Sequence, residues 1–316
     1  MRSAQNEKRE TERLVLVDGN AILHRAYHAL PPLTTRSGEL VNAVYGFSTM
    51  LLKILEDLKP KYLAVAFDTP KPNFRHQEFI GYQAKRKKMD AELSQQIERV
   101  RQLVNVLNIP VFEAEGYEAD DVIGTLARQA VECLNNKECS SFEVLIVTGD
   151  RDLMQLVNDE VKLFMPSRGL SEGQIIGEKE VKERMGVEPQ KIIDYKALVG
   201  DQSDNYPGVL GIGPKTAISL LEQFGTLDEI YSHLDQIENR NIVEKLREGK
   251  ESSFLSRKLA AIVTSAPVNL ELNKCLASDY DKEKVISFFK ELGFRSLISR
   301  IGGKTEKKED RQQSLF

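Results

Sequence analysis

Glu118-Ala119-Asp120-Asp121 places three carboxylates within four residues, directly before an apolar helical pattern that starts at Val122. A helix start favours acidic side chains because its first N–H groups have no partners, which explains one or two of the three. Three like charges this close also repel each other, and their burial without a counter-ion costs several kcal/mol. The stretch therefore predicts either solvated charges or a bound cation.

Three short apolar runs elsewhere in the chain each end in an aspartate: Arg13–Asp18, Tyr62–Asp68 and Val144–Asp150. Such runs indicate strands buried on both faces, as in a parallel sheet. Helical patterns lie between and after them, at Val44–Leu58, Ser94–Leu107 and Val122–Leu134. This alternation predicts an α/β fold, in which ligands bind at the carboxyl ends of the strands. One aspartate there is usually a turn residue, but three of them beside the 118–121 stretch predict a shared site.

A fourth acidic segment, Gly200-Asp201-Gln202-Ser203-Asp204, follows a predicted short helix at Ile192–Val199. Oxygen donors without His or Cys favour Mg²⁺ or Mn²⁺ over zinc. Two such ions about 4 Å apart can activate a water and stabilise the leaving oxygen in an attack on a phosphodiester. The nine acidic residues that we expect to converge are Asp18, Asp68, Glu118, Asp120, Asp121, Asp150, Asp152, Asp201 and Asp204.

The composition of the 316 residues, 41% hydrophobic and 29% charged, is ordinary for a globular protein. The net charge is −4, but without the nine acidic positions the rest of the chain is net positive, which suits a nucleic-acid partner. No apolar run approaches the roughly 20 residues of a membrane span. Residues 1–13 lack the apolar core of a signal peptide, and three cysteines without a C-x-x-C pair indicate a reduced protein. We therefore expect a cytoplasmic protein with no membrane partner.

Residues 71–92 combine basic side chains with Phe74, Phe79 and Tyr82. Cations suit phosphates and rings suit bases, so this segment is either an arm that contacts nucleic acid or a solvated basic loop. Its position directly after the Asp68 strand favours the arm.

Gly211-Ile212-Gly213 precedes Pro214 and Lys215 at the start of an apolar helix. Glycines there let the backbone approach a phosphate at the positive end of the helix, although tight turns also use this pattern. We interpret residues 205–225 as a helix-hairpin-helix that holds the backbone of duplex DNA without reading its sequence.

Taken together, these segments resemble the 5′-nuclease domain of bacterial DNA polymerase I and, more broadly, the flap endonucleases. The resemblance runs from about Leu14 to Leu297 and covers six motifs in the order of the family: Val17-Asp18-Gly19-Asn20 with Arg25–Leu30, Phe74-Arg75-His76, Gly116–Asp121, Thr148–Asp152, Gly200–Asn205 and Gly211–Ala217. It implies a PIN-like, mainly parallel sheet flanked by helices, with a helical arch and a C-terminal helix-3-turn-helix module. The expected divisions are a polar extension (1–12), the nuclease domain (13–190, arch about 71–92), the helical module (191–300) and a disordered tail (301–316).

The resemblance also implies roles for single residues. Asp18, Asp68, Glu118 and Asp120 correspond to the ligands of a first metal ion, and the other five acidic residues hold or surround a second. The backbone carbonyls of Val209 and Ile212 correspond to a K⁺ site. Three arch cations are expected to act in catalysis: Arg75, Lys85 and Arg86. The expected DNA contacts are Arg25, Tyr27, Arg75, Lys85, Arg86, Lys87, Gly211, Gly213, Lys215 and Thr216.

One position departs from the family, which usually has Tyr-Lys-x-x-Arg in the arch where this chain has Tyr82-Gln83-Ala84-Lys85-Arg86. Glutamine carries no charge, so either another cation takes over or the rate is lower. We hypothesise that Lys85 substitutes.

The predicted function is that of a structure-specific 5′ nuclease, both 5′-3′ exonuclease and flap endonuclease, acting in replication and repair as a monomer in a bacterial nucleoid. Its substrate would be duplex DNA with a 5′ flap, a nick or a 5′ end. Two alternatives remain: a catalytically impaired paralogue that binds DNA junctions, which Gln83 would favour, and a PIN-type ribonuclease. A free-standing enzyme and a fragment of a full polymerase are both compatible with the sequence. The last residues, Gln312, Leu315 and Phe316, resemble a sliding-clamp-binding peptide, and a chance match of a short motif is the alternative.

Overall fold

The computed structural model describes residues 12–86, 89–135, 142–166 and 172–301, except for the side chains of residues 134 and 135. Six strands form one sheet in the order β3-β2-β1-β4-β5-β6. All neighbouring pairs are parallel except β5 and β6, which are antiparallel. The strands are β1 (Glu12–Asp18), β2 (Tyr62–Ala66), β3 (Val111–Phe112), β4 (Phe142–Val147), β5 (Val161–Pro166) and β6 (Gly173–Ile176).

Helices flank both faces of the sheet and then make up most of the chain beyond residue 177. In the part of the chain that is described, the α-helices are α1 (Gly19–Ala29), α2 (Asn42–Leu58), α3 (Phe74–Glu78), α4 (Ala91–Val106), α5 (Ala119–Asn135), α6 (Glu178–Met185), α7 (Ile192–Val199), α8 (Pro214–Phe224), α9 (Leu227–Ser232), α10 (Arg240–Glu248), α11 (Lys250–Ala260), α12 (Lys282–Glu291) and α13 (Arg295–Ile301). Short 3₁₀ helices lie at Asp152–Leu156, Pro189–Lys191, Leu234–Gln236 and Leu272–Lys274. None of the described helices is both long and apolar enough to cross a bilayer.

The central strand β1 shows why the sheet needs cover on both faces. Its side chains alternate, so that Leu14 and Leu16 belong to one buried cluster whereas Val15 and Val17 belong to the other. The first cluster lies against α5 and the helices α6–α10, and the second lies against α1, α2 and α4. Because both faces of the strand are buried, its sequence is a continuous apolar run. The prediction of a mainly parallel α/β sheet is confirmed.

The last two helices pack outside the helical module that is expected over residues 191–300. Phe288 and Phe289 of α12 and Leu297 of α13 lie in the cluster that contains β1, α2 and α4. The chain reaches them through residues 275–277, where the Leu63 N–H donates to the Cys275 carbonyl. Residues 282–301 therefore complete the buried core around β1, α2 and α4.

The segment predicted as an arch contains the five residues of α3, then turns up to residue 86, and at its end the start of α4 at Ala91. Asn73 caps α3, because its side chain accepts from the Arg75 and His76 N–H groups. The predicted hairpin of residues 205–225 is a turn with positive φ at Gly208 and Gly211, followed by α8 with Pro214 at its first position.

Candidate metal centre

Eight of the nine predicted acidic residues line one cleft of about 1000 Å³ at the carboxyl end of the parallel strands: Asp18, Asp68, Glu118, Asp120, Asp150, Asp152, Asp201 and Asp204. Strand ends bring the first of these together, since Asp18 is the last residue of β1 and Asp68 follows β2. The start of α5 adds Asp120, while Asp201 and Asp204 come from the turn after α7. Residues 186 apart in sequence thus share one surface.

Asp18 is fixed through both carboxylate oxygens. Oδ1 accepts from the Ala21 N–H at 2.9 Å and caps α1, and Oδ2 accepts from Thr148 Oγ1 at 2.7 Å. Burial outweighs these bonds and raises the pKa of Asp18 to about 7. Burial and the charges of Asp150 and Asp18 also raise the pKa of Asp120 well above its usual range. The ionised forms of both carboxylates are therefore unfavourable here, and a bound cation would stabilise them.

Asp152, Asp201 and Asp204 form the tightest acidic group, with one carboxylate oxygen of each within 4.8 Å of the others. Lys196 bridges two of them, donating to Asp152 and, at 2.6 Å, to Asp201 Oδ2. Burial raises the pKa of Asp152 to about 6 despite this lysine. Burial alone would also raise the pKa of Asp201, but the charge of Lys196 reverses the shift and lowers it. When ionised, the three carboxylates carry more negative charge than the Lys196 ammonium offsets, so a further cation would be stabilised beside them.

Glu118 links this group to the arch. The Gln83 amide donates to Asp204 Oδ1 at 3.0 Å and lies 3.4 Å from Glu118 Oε1, and the Tyr82 hydroxyl reaches the other oxygens of the same two carboxylates at 3.3 and 3.2 Å. Asn73 adds a bond of 2.5 Å to Glu118. Burial raises the pKa of Glu118 to about 7. Gln83 is thus a neutral donor between two acidic residues from different parts of the chain.

Asp121, expected to hold or surround the second ion, points away from the cleft. Its side chain is fully buried and accepts two bonds of 2.8 Å from the Arg75 guanidinium, along with N–H groups of Glu118 and Val263. Protein donors occupy both carboxylate oxygens, so Asp121 is not a candidate metal ligand.

Arg75, expected to contact DNA and to act in catalysis, is 2% exposed. Besides Asp121 it donates to the carbonyls of Leu259 and Ala261 and lies 3.3 Å from Glu118. Four guanidinium N–H groups are thus hydrogen-bonded inside the protein and the charge faces two carboxylates, which makes Arg75 a poor ligand for a phosphate. The structure gives Arg75 an anchoring role between α3, α5 and the end of α11.

The other predicted arch cations differ in placement. Lys85 and Arg86 are both exposed, but Arg86 lines the cleft whereas Lys85 is not among its lining residues. Lys87 lies outside the described residues. On α1, Tyr27 donates to Glu92 at 3.2 Å and Arg25 is half-buried. Further cations on the cleft wall are Lys71, Arg151 and Arg184.

The predicted hairpin residues form a second surface. Gly211, Gly213 and Lys215 are exposed and Thr216 is half-buried, at the N-terminal end of α8. The carbonyl of Val209 accepts from the Ile212 N–H at 3.0 Å and keeps a second lone pair. Lys245 Nζ lies 3.3 Å from the Gly211 carbonyl, so a cation of the protein already lies beside the hairpin.

Sequence patterns missed several residues that line the cleft or bond its carboxylates. Lys196 had a detectable signal, because it is the one lysine within the predicted apolar helix 192–199. Thr148 and Asn20, whose side chain accepts from the Asp68 N–H at 3.0 Å, had none beyond their place in the motifs. Thr69 lines the cleft with a buried hydroxyl that has no hydrogen-bond partner.

These features fit divalent cations with a preference for oxygen. The donor set contains carboxylates and hydroxyls, and burial raises the pKa values of Asp18, Glu118 and Asp152, so that their ionised forms need a counter-ion. A buried hydroxyl without a partner, as at Thr69, is the kind of group that water around an ion satisfies.

Two family models together match residues 13–283. One is described as the N-terminal, resolvase-like domain of 5′-3′ exonucleases (residues 13–186) and the other as their C-terminal SAM fold (residues 187–283). The chain belongs to the 5′-3′ exonuclease family.

Among curated relatives of this family member, DNA polymerase I of Bacillus subtilis is 42% identical over 303 residues, 96% of this chain and 34% of the relative. The thermostable DNA polymerase I of Thermus thermophilus is 39% identical over 290 residues, 92% of this chain and 33% of the relative. The chain thus spans about a third of the length of the polymerases it matches.

Solved structures show that this 5′-3′ exonuclease family member shares its fold with more distant nucleases. The bacteriophage T5 D15 flap endonuclease, solved as a pseudo-enzyme-product complex with DNA and metal ions, gives a TM-score of 0.67 at 18% identity, covering 92% of this chain and 100% of that one. The catalytic core of Rad2 with a DNA substrate gives 0.56 at 16% identity, covering 92% of each chain.

Proposed function

We propose that the chain is a structure-specific 5′ nuclease that hydrolyses DNA phosphodiesters with two divalent ions, Mg²⁺ or Mn²⁺. The convergence of eight carboxylates in one cleft carries this proposal. One group of ligands would be Asp152, Asp201 and Asp204, whose oxygens lie closest together. The other would comprise Asp18, Asp68, Glu118 and Asp120, while Asp150, expected near the second ion, accepts from the Asp152 N–H at 2.8 Å. Ions bound there supply a nucleophilic water at neutral pH and neutralise charge on the scissile phosphate.

The residues of the chain orient these groups and bind the substrate. Thr148 and the Ala21 N–H fix Asp18, and Gln83 with Tyr82 holds Glu118 near Asp204. Cations on the cleft wall provide electrostatic attraction for a phosphate backbone. No covalent protein intermediate is needed, and the product carries a 5′-phosphate.

We place duplex DNA along the surface from the cleft to the hairpin at α8. Lys215 and Thr216 stand where exposed N–H groups at a helix start attract a phosphate, and Gly211 and Gly213 allow close approach. The T5 and Rad2 proteins were both solved with DNA, which supports this substrate class. A K⁺ ion on the carbonyls of Val209 and Ile212 is proposed for the same hairpin, and comparing duplex affinity in K⁺ and Na⁺ tests it.

The test is cleavage of a 5′-labelled flap duplex by the protein in Mg²⁺, in EDTA, and with Asp120→Asn. Cutting near the flap junction that needs Mg²⁺ and is lost in the variant is the expected result. Asp235→Asn, at an exposed carboxylate, is the matched control and should cut normally. Mg²⁺-independent cutting, or full activity in Asp120→Asn, would remove the proposed site.

One observation favours a second candidate, a paralogue that binds DNA junctions but cuts poorly. Gln83 is bonded to Asp204 and carries no charge toward the substrate. Tight flap binding without cleavage in Mg²⁺ would make this the better interpretation.

The remaining expectations stay proposals: a monomer acting near bacterial DNA in the cytoplasm, and a clamp-binding peptide at Gln312, Leu315 and Phe316, which lie outside the described residues. Removal of residues 312–316 should abolish binding to a sliding clamp, and equal binding by the shortened chain would eliminate the peptide.

A further inference from the structure

Tyr206 presents a buried hydroxyl with nothing to bond. Across the described ranges, two buried side-chain polar atoms lack a hydrogen-bond partner, Thr69 Oγ1 and Tyr206 Oη. The Tyr206 side chain is 3% exposed. A buried hydroxyl without a partner costs free energy, so each such group calls for an explanation, often a water or an ion.

The backbone places the Tyr206 side chain on the side of the group formed by Asp152, Asp201 and Asp204. Tyr206 and Asp201 form an antiparallel bridge in which each N–H donates to the other's carbonyl, at 3.0 and 2.9 Å. Residues directly opposite in such a bridge project their side chains to the same face. The Tyr206 ring also packs in a small cluster with Tyr82, whose own hydroxyl reaches Asp204.

The surrounding charges agree with this placement. Asp201, opposite Tyr206 in the bridge, belongs to one acidic group with Asp152 and Asp204. Lys196 donates to two of these carboxylates but not to Tyr206. The Tyr206 side chain therefore lies on the same face as that of Asp201, and its hydroxyl bonds neither the three carboxylates nor their lysine.

We propose that Tyr206 is a positioning residue for the second ion, and that its hydroxyl bonds a water of that ion's hydration shell. The proposal rests on the proposed function, because it assumes an ion at Asp152, Asp201 and Asp204. Mg²⁺ and Mn²⁺ keep several waters in protein sites, and groups that hold such outer ligands set affinity as well as geometry.

Tyr206→Phe removes one oxygen and keeps the ring in its cluster. Binding of Mn²⁺ alone, without DNA, is followed by the electron paramagnetic resonance signal of the free ion, which gives the number of sites and the Kd of each. We expect two sites in the unaltered protein and, in the variant, one site weakened about tenfold with the other unchanged. The thermal midpoint of the metal-free variant should equal or exceed that of the unaltered protein, since an unpartnered buried hydroxyl is lost.

Tyr231→Phe is the matched control. Its hydroxyl bonds the Leu246 carbonyl and Ser253 Oγ, so its loss should lower the thermal midpoint and leave the Mn²⁺ isotherm unchanged. An unchanged isotherm in Tyr206→Phe would overturn the proposal. So would weakening of both sites together with a lower metal-free midpoint, which marks a purely structural role. Failure of the proposed function looks different: the unaltered protein would bind no Mn²⁺, or Asp204→Asn would bind it equally well.

Discussion

At the scale of residues, similar side chains take opposite roles according to their partners. Asp120 and Asp121 are neighbours in the first turn of α5, but only Asp120 lines the cleft. Because successive helix residues point about 100° apart, one carboxylate faces the strand ends while the other faces the interior. Arg75 then neutralises the interior charge, so the pair fixes the start of α5, and the same guanidinium lies 3.3 Å from Glu118 at the wall of the cleft.

We predict that Arg75→Met lowers the free energy of unfolding by about 3–5 kcal/mol, because it leaves the Asp121 carboxylate buried and uncompensated. Adding Asp121→Leu should recover much of the loss, since no buried charge then remains. Urea unfolding measures both. Lys53→Met, in the partly exposed Lys53–Asp57 pair, is the control and should cost less than about 1 kcal/mol. An Arg75→Met protein as stable as its parent would contradict the anchoring role.

A second prediction separates the two exposed arch cations. Arg86 lines the cleft and Lys85 does not, so we expect Arg86→Ala to reduce the single-turnover rate about a hundredfold, as for loss of one charge-stabilising donor. Lys85→Ala should have a smaller effect. The reverse order would favour the original hypothesis that Lys85 replaces the missing charge at position 83.

At the scale of elements, the arch and the turn after α7 are joined close to the candidate ligands. The Gln83 N–H donates to the Asp204 carbonyl at 2.9 Å, and the Asn205 side chain donates to the Gly81 carbonyl at 2.6 Å. Asn205 has a positive φ of 58°, a conformation that suits Asn and Gly. The turn that carries Asp204 therefore depends on both its backbone shape and its contact with the arch.

We predict that Asn205→Gly costs about 1 kcal/mol through the lost hydrogen bond, and that Asn205→Ala costs about 1–2 kcal/mol more because alanine resists positive φ. Both should slow flap cleavage, since Asp204 loses its support. Asn108, with φ of 52° and a bond to Asp279, offers a control at which the same substitutions change stability alone. Equal stability of the Gly and Ala variants at 205 would exclude a role for the backbone conformation.

The elements also show what sequence could and could not predict. Apolar runs ending in Asp correctly predicted β1, β2 and β4 and the edge where the carboxylates meet, because both depend on local pattern. Three features were not predictable in this way: the direction of Asp121, the burial of Arg75 and the bridge by Lys196. Each depends on contacts across at least 44 positions, from Arg75–Asp121 to Lys196–Asp152, which no local pattern encodes.

At the scale of the whole molecule, the cleft makes stability depend on pH. The folded-state pKa values of Asp18, Glu118 and Asp152 are raised by burial, to about 7, 7 and 6, above the roughly 4 of an unfolded chain. A raised carboxyl pKa means that the folded state binds more protons, so stability present at low pH is lost as pH rises through the folded value.

We therefore predict that the free energy of unfolding in EDTA falls between pH 5 and pH 8. Mg²⁺ should reduce this fall and stabilise the protein more at pH 8 than at pH 5, because it binds the ionised carboxylates. Urea unfolding at four pH values, with and without Mg²⁺, measures both effects. Stability in EDTA that rises with pH over this range would show that burial does not raise the pKa values of these carboxylates.

The last prediction concerns how the chain closes on itself. Phe289 of α12 is fully buried among residues of β1, α2 and α4. These three elements all end by residue 106, so the contact joins distant parts of the chain. Phe289→Ala should cost about 3–5 kcal/mol, and a chain ending at residue 281 should fail to fold cooperatively, because it leaves one face of the sheet partly uncovered. A chain ending at residue 301 keeps every described contact and should unfold at the thermal midpoint of the full chain. If the chain ending at residue 281 unfolded at that same midpoint, α12 and α13 would be accessory to the fold.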